Sequence, residues 1–194
     1  MQGFLLTIDR ISTWVGKIGA WCILILSFAI GYEVVARYVF RAPTTWAYDV
    51  SYMLYGSLFM LAGAYTLSRN GHVRGDFIYR NFSPRVQAGL DLVLYFLFFI
   101  PGILALIYAG YDYAKISWLI KERSSVSPFG PPIYHFKALI PFTGVLMLLQ
   151  GIAEIIRCVI CLRTGEWPHR LADVEELEKV ILEQAQISKQ EATP

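Results

Sequence analysis

The 194-residue chain is 56% hydrophobic, only 16% charged and nearly neutral, at a formal net charge of +2. A soluble domain usually carries about 25% charged residues, and here the missing charge is absent from long apolar blocks and crowded between them. That distribution excludes an ordinary soluble enzyme, and the lack of a basic, aromatic-rich surface excludes a nucleic-acid partner.

A membrane-spanning helix needs about 20 apolar residues at 1.5 Å rise each. Four blocks meet this, over about residues 18–36, 48–67, 86–113 and 138–161. In the third, Asp91 and Asp112 trim the apolar centre to about Leu92–Gly110. The runs are too long and too continuous for barrel strands. The expected fold is therefore an all-α membrane protein of four transmembrane helices, followed by a C-terminal amphipathic cytoplasmic helix. Residues 1–163 form the membrane domain and 164–194 the tail.

At the N-terminus Arg10 and Lys17 precede the first apolar run, as in a signal peptide. No small-x-small cleavage site closes that run, so it reads as a retained first helix. Glu33 and Arg37, four residues apart at its far end, share one helix face. Charges at this depth are costly unless paired; Arg37 is also expected to reach Asp49 at the start of the second helix. A short connection bearing Pro43 makes the first two helices antiparallel neighbours.

The second connection holds Arg69, Gly71, His72, Arg74 and Asp76 in a glycine-bearing turn. His72 and Asp76 alone supply too few ligands for a metal, so the turn is expected to anchor positive charge and satisfy its own backbone. Pro101-Gly102 and Pro141 predict kinks in the third and fourth helices. The third connection, between residues 114 and 137, is rich in Ser, Pro and Gly, with Trp118, Phe129 and Tyr134 interspersed. It reads as an ordered external loop whose aromatic residues either sit in the headgroup region or form a docking surface.

Cys158 and Cys161 have C-x-x-C spacing, but at the far end of a membrane helix rather than at a helix start, where a thiol pKa is lowered. Buried cysteine as a small apolar side chain is the plainer reading; a membrane thiol/quinone redox protein is the alternative. Ser57, Thr143 and Gln150 are the only modestly polar candidates within the apolar blocks, so the interior is expected to be almost wholly apolar. In the tail, Asp173 with Glu176 suggests a capping box, and Val174, Leu177 and Ile181 follow helical spacing over about residues 173–185. With both termini cytoplasmic, nine Lys and Arg flank the inner side and six the outer, the direction that positive-inside charge bias favours.

Four helices with no internal repeat and no polar path look like a scaffold. At this point the residues resemble a known family. Glu33-x-x-x-Arg37-Tyr38 closes the first helix, Trp46 and Asp49 open the second, and Gly63-Ala64 is followed by Arg69-x-Gly71-His72-Val73-x-x-Asp76. This order is similar to the small membrane subunit (DctQ type) of tripartite ATP-independent periplasmic (TRAP) transporters, over roughly residues 15–160. Asp49 stands where glutamate is common in that family.

The resemblance implies a non-enzymatic subunit of the bacterial inner membrane. It implies a stable heterodimer with a large membrane subunit, transient contact with a periplasmic substrate-binding protein, and surrounding membrane lipids. It implies sodium-coupled uptake of an organic acid, with sodium and substrate held by the large subunit and no cofactor in this chain. Carried over to these positions, Glu33, Arg37, Tyr38, Trp46 and Asp49 order the outer hairpin and its partner contacts. Arg69, His72, Arg74 and Asp76 order the inner loop.

Overall fold

In the computed structural model the described residues are 2–71, 79, 81–168, 170 and 171. Four helices account for nearly all of them: α1 (Gln2–Tyr38), α2 (Ala47–Ser68), α3 (Pro84–Leu119) and α4 (Tyr134–Thr164). Each is long and apolar enough to cross a membrane. No named strand occurs among the described residues; a single bridge joins Arg123 to Pro132. The fold class read from the sequence is thus that of the structure. The expected tail helix, residues 173–185, lies outside the described residues.

The helices run further than their apolar blocks. α1 begins at Gln2, not near residue 18, and its 37 residues span about 55 Å against roughly 30 Å of hydrocarbon. Hydropathy marks only the part that needs lipid; the helix continues because one face stays buried. Leu5, Ile8, Ser12, Gly19, Leu26, Ala29 and Ala36 are buried at intervals of three, four or seven residues, all on one helix face.

The third helix contains a wide turn. Over Tyr95–Phe99 it is a π-helix, and the Ile100 amide bonds to the Tyr95 carbonyl, five residues back. Pro101 lies immediately after. Its ring has no N–H to give and would clash with the carbonyl four residues earlier, so the extra residue in the turn accommodates it. The expected irregularity at Pro101-Gly102 is therefore a π turn just before the proline.

The helices lie in the order α1–α2–α4–α3, with α4 in the middle. α1 packs along α2 and touches α4 at one end, while α3 leans on α4 and meets α2 around Leu67. Small residues set these seams, as is usual where lipid supplies no hydrophobic drive between helices. A Cβ on Gly16 would lie 2.4 Å from Cβ of Tyr65, and one on Gly19 would lie 2.9 Å from Cβ of Leu61. On the other side, Gly144 receives Ile107 and Gly151 receives the Phe99 ring.

Candidate functional site

Polar side chains gather at the two ends of this row. At the end holding the α1–α2 connection, Glu33 is saturated. Its Oε1 accepts both Nε and Nη2 of Arg37, at 2.9 and 2.5 Å. Its Oε2 accepts the Thr44 amide at 3.0 Å and the Thr44 hydroxyl. One carboxylate thus ties the last turns of α1 to the connection. Trp46 stacks on Tyr32 with centroids 6.0 Å apart, while Tyr38 is exposed.

The expected reach of Arg37 to Asp49 is not made. Asp49 is wholly buried, and its carboxylate accepts the hydroxyls of Ser124 at 2.6 Å and of Ser127. A carboxylate in the first turn of a helix is favoured by the amides there, and its short side chain meets the third connection rather than the arginine.

That connection is ordered, as expected. The Ser124 amide bonds to the Pro131 carbonyl at 2.9 Å, the Ile133 amide to Glu122 at 3.1 Å, and Arg123 Nε to the Gly130 carbonyl at 2.6 Å. Gly130, at φ +53, supplies the left-handed turn. Trp118 and Tyr134 meet edge to face at 4.8 Å, with the Lys121 ammonium over both rings. Phe129 stands apart and exposed. The ammonium of Lys137 donates to Glu122 and holds its carboxyl below the ordinary 4.5.

At the opposite end, Arg69 lies with its guanidinium carbon 5.5 Å from the centroid of the Tyr65 ring. Its expected companions His72, Arg74 and Asp76 fall outside the described residues. What dominates here is a group the sequence reading missed. Asp9 and Ser12 of α1 meet Gln150, Glu154 and Arg157 of α4, and all five are essentially sealed from solvent. Arg157 Nη2 donates to Asp9 at 2.6 Å, and Nη1 donates to Glu154. Gln150 Nε2 donates to Asp9 at 2.9 Å, while its Oε1 accepts the Ser12 hydroxyl at 2.8 Å. Arg170, beyond the end of α4, donates to the other oxygen of Glu154 at 2.7 Å.

The expected almost wholly apolar interior is therefore wrong at this end. A hydropathy window tolerates one or two charges per helix and cannot see that charges in separate helices meet. A signal was present: Gln150, Glu154 and Arg157 are four and three apart, and Asp9 and Ser12 are three apart, each set on one helix face. Buried charges survive only when paired and hydrogen-bonded, and here every carboxylate oxygen has a donor.

Cys158 and Cys161 are free and buried, packed with Leu67, Ala88 and Tyr95. The Cys161 thiol points at the Pro84 carbonyl, 3.5 Å away. This is the setting of small apolar side chains filling a helix seam.

Among the described residues these groups bond to one another and join neighbouring helices at the two ends. Two comparisons bear on identity. No curated protein matches the chain. A protein-family model does match, described as tripartite ATP-independent periplasmic transporters, DctQ component, and it covers residues 12–161. That match includes the greater part of all four apolar helices, the Glu33–Arg37 hairpin and, of the buried group, Ser12, Gln150, Glu154 and Arg157. The chain belongs to the DctQ family, the small multi-pass inner-membrane component of TRAP transporters.

Proposed function

We propose that this subunit is a static scaffold that braces the large membrane subunit while that partner carries out cation-coupled uptake of an organic acid. A periplasmic binding protein delivers the acid, and substrate and coupling ion, expected to be sodium, sit in the large subunit. The observation that carries the reading is the contrast between the hydrogen-bonded charge groups and the apolar, outward-facing helix faces. In their most apolar stretches α1, α2 and α3 bury 11% of residues, against 44% in α4. Such a row presents wide helix faces, and the carboxylates Asp9, Glu33, Asp49 and Glu154 take their donors from within the chain.

In this reading Glu33, Arg37, Tyr38, Trp46 and Asp49 shape the outer hairpin where the partners meet. The loop carrying Trp118, Phe129 and Tyr134 lies beside them, facing the periplasm, with both termini cytoplasmic. The inner turn with Arg69, His72, Arg74 and Asp76 anchors the opposite end. Residues 1–163 act as the membrane unit and 164–194 as a cytoplasmic tail with an amphipathic helix at about 173–185.

The test is co-purification of the tagged chain in mild detergent, followed by uptake measurements in membranes. A roughly equimolar multi-spanning partner is expected. Glu33→Ala and Arg37→Ala should lower assembly or uptake without changing which solute is taken. A changed solute preference in either variant would falsify the scaffold reading.

A further inference from the structure

The chain does not simply run off the end of α4. Gly165 adopts φ +86, a left-handed turn that closes the helix with its amide on the Cys161 carbonyl at 2.7 Å. The following residues fold back. Trp167 packs against the cluster of Cys158, Cys161 and Tyr95, and its indole N–H approaches Gln87 of α3 at 3.4 Å. Arg170 then reaches Glu154, sixteen residues earlier, with its own side chain 8% exposed. Residues 165–168 and the side chain of Arg170 are thereby seated, as a short strap, on the end of the row.

The charges make its seat consequential. Among the described residues the sealed group holds two anions, Asp9 and Glu154, and two cations, Arg157 and Arg170. With the strap lifted, Arg157 alone faces both carboxylates, and one buried negative charge is left over. Unbalanced buried charge is penalised far more than an exposed one. The same arginine cannot satisfy every oxygen: Glu154 Oε2 takes its bond from Arg170, whereas Asp9 Oδ2 and Glu154 Oε1 take theirs from Arg157. Asp9 in turn is the main polar tie of the first turns of α1 to α4, beside a small apolar contact of Leu5 and Ile8 with Ala153.

We propose that the turn at Gly165, with Trp167 and Arg170, is a latch whose closure, through Arg170 on Glu154, keeps the charge group balanced and holds the first turns of α1 in register on α4. A displacement of Arg170 then reaches α1 through Glu154 and Arg157. The device is independent of what the transporter carries, so its failure leaves the scaffold reading untouched.

The experiment is hydrogen exchange on the full chain with its large subunit in nanodiscs. Arg170→Gln is expected to speed exchange of the Leu5–Ser12 amides by about tenfold, the scale of one lost charge-assisted hydrogen bond. Arg170→Lys should restore most of the protection. Pairing Arg170→Gln with Glu154→Gln removes one charge of each sign, and α1 should then be better protected than in Arg170→Gln alone. That ordering also serves if the single variant assembles poorly, since the double variant should recover yield. If Arg170→Gln loosens only residues 165–171 and leaves α1 unchanged, or if the single and double variants behave alike, the strap is a passive chain end and the proposal fails.

Discussion

Removing the guanidinium of Arg157 leaves two carboxylates, Asp9 and Glu154, facing each other without their shared cation. Breaking a buried pair in this way costs about 3–5 kcal/mol, so Arg157→Met is expected to unfold or fail to accumulate, read as a lowered thermal midpoint in detergent. Asp9→Asn keeps shape and an acceptor and should cost less. The outer hairpin has a different hierarchy. Arg37 is 54% exposed on its side chain and, among the described residues, donates to its helix neighbour Glu33, a kind of pair that contributes little. Glu33, by contrast, also holds the Thr44 amide and hydroxyl. Thermal midpoints should therefore fall further for Glu33→Ala than for Arg37→Ala; equal falls would show that the ion pair, lost in both variants, matters and the turn contact does not. The hairpin group was legible in the sequence because Glu33 and Arg37 lie one helical turn apart. The Asp9–Arg157 contact spans 148 residues, and no local pattern announces which distant charge will answer a given one.

Helices seat on one another through glycine slots, and the neighbour in each slot decides what a methyl group would cost. At Gly16 the opposing atom is Cβ of Tyr65, which no rotamer change can move, so Gly16→Ala must push α1 off α2. At Gly63 the neighbour is the Met147 sulfur at 3.2 Å, the flexible end of a long side chain. Gly16→Ala is expected to cost about 1–3 kcal/mol, as overpacking does, and Gly63→Ala much less, both measured as shifts in unfolding midpoint. The third connection responds to pH through Glu122. Its carboxyl titrates below the ordinary 4.5 because the Lys137 ammonium donates to it. A depressed carboxyl lends its stability above 4.5 and withdraws it as pH falls through its lower folded value. Protease nicking between Lys121 and Ile133 should therefore rise below about pH 4.5 in the native chain and lose that dependence in Glu122→Gln. At this scale the four apolar blocks and the order of the third connection were readable. The true start of α1 was not, since a helix stabilised by one buried face does not need apolar residues all round.

For the molecule as a whole, the row order α1–α2–α4–α3 is the consequence of those seams, and it differs from the closed bundle that four antiparallel helices often form. A closed bundle would bring α1 and α3 side by side; here α2 and α4 stand between them. Hydropathy gives the number of spans but is blind to their lateral order, which depends on where the small residues fall around each helix. The two arrangements can be told apart by crosslinking in a background with Cys22, Cys158 and Cys161 replaced. Gly63→Cys with Met147→Cys joins α2 to α4 across a slot already in contact, and a short bifunctional thiol reagent should link them efficiently. Leu24→Cys with Leu104→Cys, both on exposed faces of the outermost helices, should stay unlinked within one chain. An intramolecular α1–α3 crosslink would mean that the row closes in the membrane. Its wide faces would then be lost, and with them the physical basis for a bracing role. An open row linked only through α4 leaves those faces for the large subunit. The same pairs should then react identically in the isolated chain and in the assembled transporter, because a static brace keeps its own shape while its partner moves.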